Sequence, residues 1–285
     1  MAENTEIGWT HFPRPDGSLM PGHTANLWWG CTEVHEGCKM CYARVFANRY
    51  KSQWGDYSLW GHNQPRKAIS GVWKDLARYQ KSAALAGETH AVFLGSMMDI
   101  FEKPYLLIDK DGVFITESKD GEIANTGWLR DRLFSEISIG KYDNLLFLFL
   151  TKRPSNINKY IPESWKDNPP KNVMFGTSPV NQETADKLIP QLLQVKGKKF
   201  LSVEPMLGVI TLDPFWLIGN YTHQGQIDWV ICGGESGHGK REFDTYWARD
   251  LRDQCAEVKV PFFMKQIDKI QEIPDDLLIR QYPVI

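Results

Sequence analysis

"NVMFGTSPVNQETADKLIPQLLQVKGKKFLSVEP", residues 172–205, holds two short apolar runs on either side of an amphipathic stretch. The runs at 172–178 and 198–205 are continuously apolar until they end in small or polar residues. That is the pattern of parallel strands covered on both faces, not of a half-exposed antiparallel strand. Between them, 183–195 carries apolar residues at helical spacing behind Asn181, a good N-cap. Strand, helix and strand in succession predict a right-handed βαβ unit in a parallel sheet.

The same rhythm extends in both directions. "ANLWWG" (25–30), "HAVFLGS" (90–96), "NLLFLFLT" (144–151), "DWVICGG" (228–234) and "VPFFMKQ" (260–266) read as further strands. Helix-like stretches lie at 39–51, 71–86, 128–139 and 245–258, the last capped by Asp244 with Trp247, Leu251 and Cys255 on one face. Six or seven such units without a linker predict an α/β fold, a full or partial (β/α) TIM-like barrel, as a single domain over 1–285. A doubly wound open sheet is the alternative. Residues 105–127 interrupt the rhythm. They read as a β-hairpin around Asp111 and Gly112, inserted after the second strand as a lid, a subunit contact or a surface decoration.

Composition narrows the setting. Hydrophobic residues at 42% and charged residues at 24% are ordinary for a globular chain, and the net charge of −2 supplies no global basic field for nucleic acid or membrane. No run is apolar for long enough to span a bilayer, and the first residues lack a secretory h-region, so a cytoplasmic protein with no membrane partner is expected. Five cysteines, an odd number, suit ligand or catalytic use in a reducing compartment better than a disulfide framework.

In (β/α) barrels the chemistry gathers at the C-terminal ends of the strands. The strand ends here supply Gly95, Ser96 and Met97, then Thr151, Lys152 and Arg153, then Ser178, Glu204, and Gly233, Gly234 and Glu235. Glu204, Lys152 and Arg153 follow strongly apolar runs, where an unpaired charge is costly, so each needs a partner or a ligand. Cys232, beside the Gly-Gly-Glu, is the remaining thiol near the expected cavity; its alternative is a small apolar strand residue.

The densest signal is "WWGCTEVHEGCKMCYAR", 28–44, in which Cys31, Cys38 and Cys41 follow a C-x6-C-x2-C spacing. Three thiolates in a short loop can hold zinc, with His35 as a fourth ligand, or a [4Fe-4S] cluster with one open iron, or can simply be packed. In the cluster reading, S-adenosylmethionine chelates the open iron and is cleaved to a 5'-deoxyadenosyl radical, while the protein supplies position and a dry cavity.

The blocks "GCTEVHEGCKMCYAR", "VFLGSMMDIF", "LFLTKRP", "NVMFGTSPVNQETADKLIPQL", "FLSVEPMLGVI" and "DWVICGGESGHGKREFDTYWARDLRDQC" occur in order from about residue 7 to 267. They resemble the phage and bacterial three-Cys-motif family, radical-SAM-like proteins mostly known only as a domain of unknown function. The resemblance implies a barrel of the radical SAM type, with Cys31, Cys38 and Cys41 on a [4Fe-4S] cluster. It departs from the usual C-x3-C-x2-C motif in its six-residue first gap; Met40 occupies the apolar place before the last cysteine. By position, Gly95, Ser96 and Met97 are the expected contacts to the methionine part of S-adenosylmethionine. Gly233, Gly234 and Glu235 are assigned to substrate or ribose, and Met40, Tyr42, Thr151 and Ser178 complete the cofactor contacts. Glu204, Lys152, Arg153 and Cys232 are the catalytic candidates. The implied enzyme is an isomerase or lyase on a nucleic-acid base or nucleotide, such as phage DNA thymine, fed by an electron donor in the host cytoplasm. Two other classes stay open: a non-catalytic zinc- or nucleic-acid-binding module, and a barrel hydrolase using Glu204 and Glu235 as a carboxylate pair.

Overall fold

The computed structural model describes residues 3–55, 57–116, 124–219, 225–237, 239–268 and 270–285. Its strands are β1 His23–Ala25, β2 Trp28–Trp29, β3 Arg66–Ala68, β4 His90–Leu94 and β5 Leu107–Ile108. They continue with β6 Leu145–Thr151, β7 Val173–Thr177, β8 Lys198–Val203, β9 Trp229–Gly233 and β10 Phe262–Gln266. The helices are α1 Tyr42–Asn48, α2 Val72–Ala86, α3 Thr126–Ser138, α4 Ile157–Tyr160, α5 Glu163–Asp167, α6 Gln182–Leu193, α7 Pro214–Ile218 and α8 Thr245–Glu257.

Seven strands pair in parallel in the order β1-β4-β6-β7-β8-β9-β10. Neighbours follow chain order, so the sheet winds in one direction and curls into a partial barrel surrounded by helices. A doubly wound sheet would need a reversal of strand order, which this sheet lacks. Among the described residues no pairing joins β10 back to β1.

The pleat sorts each strand into two layers. Leu94, Phe147, Phe149, Phe175, Leu201 and Cys232 face the helices and pack with Leu76, Leu133, Ile189 and Leu251. Phe93, Leu146, Leu148, Met174, Phe200 and Trp229 face the concave side, where the N-terminal Trp9 and Phe12 pack with them. Trp9 is 1% exposed and lies 4.7 Å from the Phe93 ring. This plug explains why the strands are apolar on both faces although the barrel is open.

Local sequence signals set most element ends. Asn181 and Thr184 form a reciprocal capping box on α6, and Asp244 accepts from Tyr246 N at the start of α8. Two readings are corrected. "ANLWWG" is not one strand. The chain leaves the main sheet at Asn26, whose side chain bonds Met97 N and Ser96 Oγ, and β2 joins a separate sheet, β2-β3-β5. The helix expected over 39–51 is shortened to α1 because Cys41 takes an extended backbone as its N-cap, and the chain after Asn48 passes into a separate 3-10 turn at Lys51–Gln53.

The hairpin after β4 is present in its described part. Phe114 returns antiparallel to Ile108, and Asp109 Oδ1 accepts from Asp111 N and Val113 N across the turn. Gly112 has φ +81°, and a Cβ there would meet Trp54 O at 2.5 Å, so the turn packs closely on the 51–55 segment. Residues 117–123 of the expected hairpin lie outside the described residues. Among the described residues, no helix is long and apolar enough to cross a membrane.

Candidate functional site

The cysteine loop begins where β2 ends. Gly30 holds φ +119°, with Leu59 O only 2.4 Å from any Cβ, and turns the chain so that Gly61 N reaches Cys31 O at 3.0 Å. The next residue, Thr32, is anchored from below. Its Oγ1 accepts from Arg66 Nη2 at 2.9 Å and contacts the Tyr105 hydroxyl at 3.1 Å. Arg66 is fully buried, holds Glu102 through two bonds of 2.7 and 2.9 Å, and lies 3.8 Å from the centre of the Tyr105 ring.

The six-residue gap then becomes intelligible. His35 Nδ1 accepts from Gly37 N at 3.1 Å and caps the Glu36–Cys38 turn, while Cys41 N donates to Cys38 O at 3.3 Å. The spacing of the last two thiols thus comes from one helical turn leading into α1. Glu36 accepts from Asn181 Nδ2 at 2.5 Å and Arg241 Nη2 donates to Glu36 O at 3.4 Å, which fastens the gap to the α6 cap and the "GGES" loop.

Cys31, Cys38 and Cys41 line one cavity of about 630 Å³ at the C-terminal ends of the main strands, with Trp9 and Phe93 also in its wall. Met40, Tyr42, Gly95, Ser96, Met97, Thr151, Lys152, Arg153, Ser178, Glu204, Gly234 and Glu235 line the same cavity. The strand-end expectation therefore brings almost every predicted residue to one place.

Charges around the cavity are mostly matched. Asp99 accepts from Arg153 Nη1 at 2.7 Å, Thr151 Oγ1 at 2.7 Å and Lys152 N at 3.1 Å. Arg153 Nη1 also lies 3.8 Å from Cys31 Sγ, and Nη2 donates to Thr32 O at 2.5 Å. Burial, with the Glu102 and Asp99 charges, pushes the Cys31 thiol above its ordinary value, and Arg153 and Arg66 oppose this. Lys265 Nζ pairs with Glu204 Oε2 at 3.0 Å, and Arg241 pairs with Glu235. Burial raises the Glu235 pKa, but the Arg241 bonds and charge outweigh it and hold the carboxyl below its ordinary value. Each carboxylate has its own cation, so the two are not arranged as a proton-sharing pair.

Three buried polar atoms of the cavity residues, Glu204 Oε1, Ser178 Oγ and Trp9 Nε1, have no partner among the described residues. Such atoms are costly unless something satisfies them. Lys152 Nζ also has no bond or ion pair among the described residues. The donor set fits a cluster in kind: three thiols on one wall, with His35 outside it. His35 lines a neighbouring cavity with Lys152, Arg153 and Lys187 instead. In this arrangement, among the described residues, no three His, Cys, Asp or Glu side chains converge closely enough to hold a metal ion.

Two predicted residues lie elsewhere. Cys232 is fully buried on the helix-facing side of β9, with Sγ 3.6 Å from Met206 Sδ, because the pleat turns it away from the concave face. Gly233 is not in the cavity wall, although a Cβ there would come within 2.8 Å of Glu204 Oε1. Asp99, Lys265 and Asn26 join the site as well, the first two from the polar ends of the strand-like stretches at 90–96 and 260–266. Asp99 carried one signal, a carboxylate five residues beyond a continuously apolar strand. Lys265 carried only its place at a strand end and Asn26 carried none, because strand register alone brings them to Glu204 and Ser96.

No curated protein and no solved structure matches this chain. A family model described as "Protein of unknown function (DUF5131)" matches residues 4–114 and 125–275 and passes over an interval inside the 105–127 segment. That match takes in β1 to β10 and the whole cavity wall from Cys31 to Gln266, and the chain belongs to this family.

Proposed function

We propose that the chain is a radical SAM enzyme acting on a nucleic-acid base or nucleotide. The observation that carries this reading is the shared cavity: three cysteines and no histidine on one wall, at the open end of a sequentially ordered parallel sheet. Cys31, Cys38 and Cys41, which line this cavity from the loop fixed by Gly30 and His35, would hold a [4Fe-4S] cluster. When bound, the cluster supplies the electron that cleaves S-adenosylmethionine to a 5'-deoxyadenosyl radical.

The chain's own residues orient and enclose the reactants. Asn26 donates to Ser96 Oγ at 2.8 Å and accepts from Met97 N at 2.8 Å, fixing the β4 end that faces the methionine part of S-adenosylmethionine. Glu204 Oε1 and Ser178 Oγ offer unmet hydrogen bonds to hydroxyl or amine groups. Lys152 offers a cation to a carboxylate or phosphate. Trp9, Phe93, Met97 and Met98 supply apolar wall that excludes water and accepts a flat ring.

The test is anaerobic reconstitution with iron and sulfide, followed by dithionite and S-adenosylmethionine. The expected result is a brown protein with absorbance near 400 nm that releases 5'-deoxyadenosine. Stoichiometric zinc, with no visible absorbance and no product, would overturn the reading in favour of a binding module.

A further inference from the structure

The chain has a net charge of −2, yet residues 37–55 contain four cations, Lys39, Arg44, Arg49 and Lys51, and no carboxylate. Arg44 is engaged by Glu33. The side chains of Lys39, Arg49 and Lys51 have no hydrogen bond or ion pair among the described residues. This strip contains α1, whose inward face is small: Ala43 and Ala47 are buried. Its outward face is not. Tyr42, Val45, Phe46 and Arg49 stand at i, i+3, i+4 and i+7, so they share one side of the helix. Tyr42 is 48%, Phe46 39% and Tyr50 38% exposed.

Large rings left partly in water beside unpaired cations contribute little to folding. The rings are not loose. Phe46 lies 5.3 Å from Tyr50 and 5.8 Å from Trp29, and Trp29 is covered by Lys67 at 4.7 Å. The result is a supported aromatic platform flanked by unpaired cations. Its near end opens on the cavity, because Tyr42 both stands on the platform and lines the cavity, with its hydroxyl donating to Ser96 O at 2.8 Å.

We infer that this face binds single-stranded nucleic acid and leads one unstacked base past Tyr42 into the cavity. Phosphates need cations that are not already neutralised, and bases need flat faces. Both occur here, the rings on and just after a seven-residue helix about 10 Å long and the cations at its two ends. That length spans at least two or three nucleotides at about 3.4 Å or more apiece. A duplex hides its base faces and could use only the cations. The assignment of substrate rests on the proposed radical SAM reading, but the binding itself needs no cluster, so the two are tested apart.

The experiment is fluorescence anisotropy of a fluorescein-labelled fifteen-nucleotide oligo-dT, titrated with the full chain over a range of salt. Saturable binding is expected, tighter than to a duplex of equal length. Phe46→Ala and Tyr50→Ala should each weaken it about 5-fold or more, whereas Phe46→Tyr should retain it. The triple variant K39Q/R49Q/K51Q should lower the slope of log affinity against log salt by about 2. Leu85→Ala, on the exposed side of α2, should change nothing. Circular dichroism checks that each variant is folded. The inference is overturned if binding is absent, if duplex binds as well, or if folded variants bind like the parent. It is overturned equally if phosphatidylserine vesicles bind the face while the oligonucleotide does not. If the oligonucleotide binds as expected but no 5'-deoxyadenosine forms, the surface stands and the radical reading fails; the converse sinks only the surface.

Discussion

Arg153, just past the end of β6, donates one nitrogen to Asp99 at 2.7 Å and the other to Thr32 O at 2.5 Å. One planar guanidinium therefore ties the ends of β4 and β6 to the residue that follows Cys31. Lysine carries the same charge but cannot span two fixed acceptors in this way.

Arg153→Lys is expected to leave the fold intact but loosen the cysteine loop. Stability should fall by about 1–3 kcal/mol, the cost of leaving a buried acceptor unmet, and bound iron per chain should fall with it. Urea denaturation and iron analysis of the same preparation check both. Parental iron content in the variant would show that the loop is held by other contacts.

Arg66 and Glu102 form an ion pair that is 0% and 1% exposed. Burial pushes the Glu102 carboxyl up, and the Arg66 bonds and charge oppose this. Removing one partner strands a charge in the interior. Arg66→Met should cost about 3–5 kcal/mol in denaturant unfolding, and the double variant Arg66→Met/Glu102→Leu should regain much of it. A double variant no better than the single would mean that Thr32 anchoring, not charge pairing, dominates.

The five cysteines should divide by where the fold places them, three on the cavity and two in the buried core. Cys31→Ser, Cys38→Ser and Cys41→Ser are each expected to abolish the 400 nm absorbance after reconstitution. Cys232→Ser and Cys255→Ser should retain it, at a stability cost of about 1–3 kcal/mol from placing a hydroxyl in the helix-facing core. His35→Ala should also retain absorbance, since His35 lies outside the cysteine cavity. Loss of metal in His35→Ala with zinc in the parent would favour a four-ligand zinc site.

His23 sets an acid limit on stability. It is 1% exposed, stacks on Tyr79 at 4.0 Å, and is held neutral down to about 4 by burial and by the His90 charge. Its folded pKa lies below the unfolded value near 6.5. The unfolded chain therefore takes up a proton before the folded one does. The stabilisation is complete above about pH 6.5 and is lost as pH falls toward 4, at roughly 1.4 kcal/mol per unit. His23→Gln should flatten that part of the stability curve in urea titrations at stepped pH. An unchanged slope would assign the acid limit to other groups.

Much of the scaffold could be read from local pattern. The apolar runs at 90–94, 145–151 and 173–177, and the caps at Asn181 and Asp244, depend on neighbours in sequence. They became β4, β6, β7, α6 and α8 nearly as spaced. Where the reading slipped, a distant contact decided in one place. Asn26 ends β1 because Ser96 and Met97 lie beside it, whereas the 39–51 helix starts late for a local reason, the extended backbone of Cys41 that caps α1.

The candidate site divides in the same way. That the polar ends of β4, β6, β7, β8 and β9 would meet followed from the sequence alone, because parallel strands in chain order must all point their C-terminal ends the same way; the three cysteines reach them by way of β2 in the second sheet. Which of those side chains enter the cavity did not. Cys232 sits one residue from Gly233 and two from Gly234, yet the pleat sends its thiol to the helices. Asp99, Lys265 and Arg66 acquire their roles only through register and burial across more than thirty residues. Charge pairing acts through space, and a sequence carries spacing along the chain but not distance across it. Only the tertiary structure could therefore decide which partners hold the cysteine loop, and which polar atoms stay unpaired beside it.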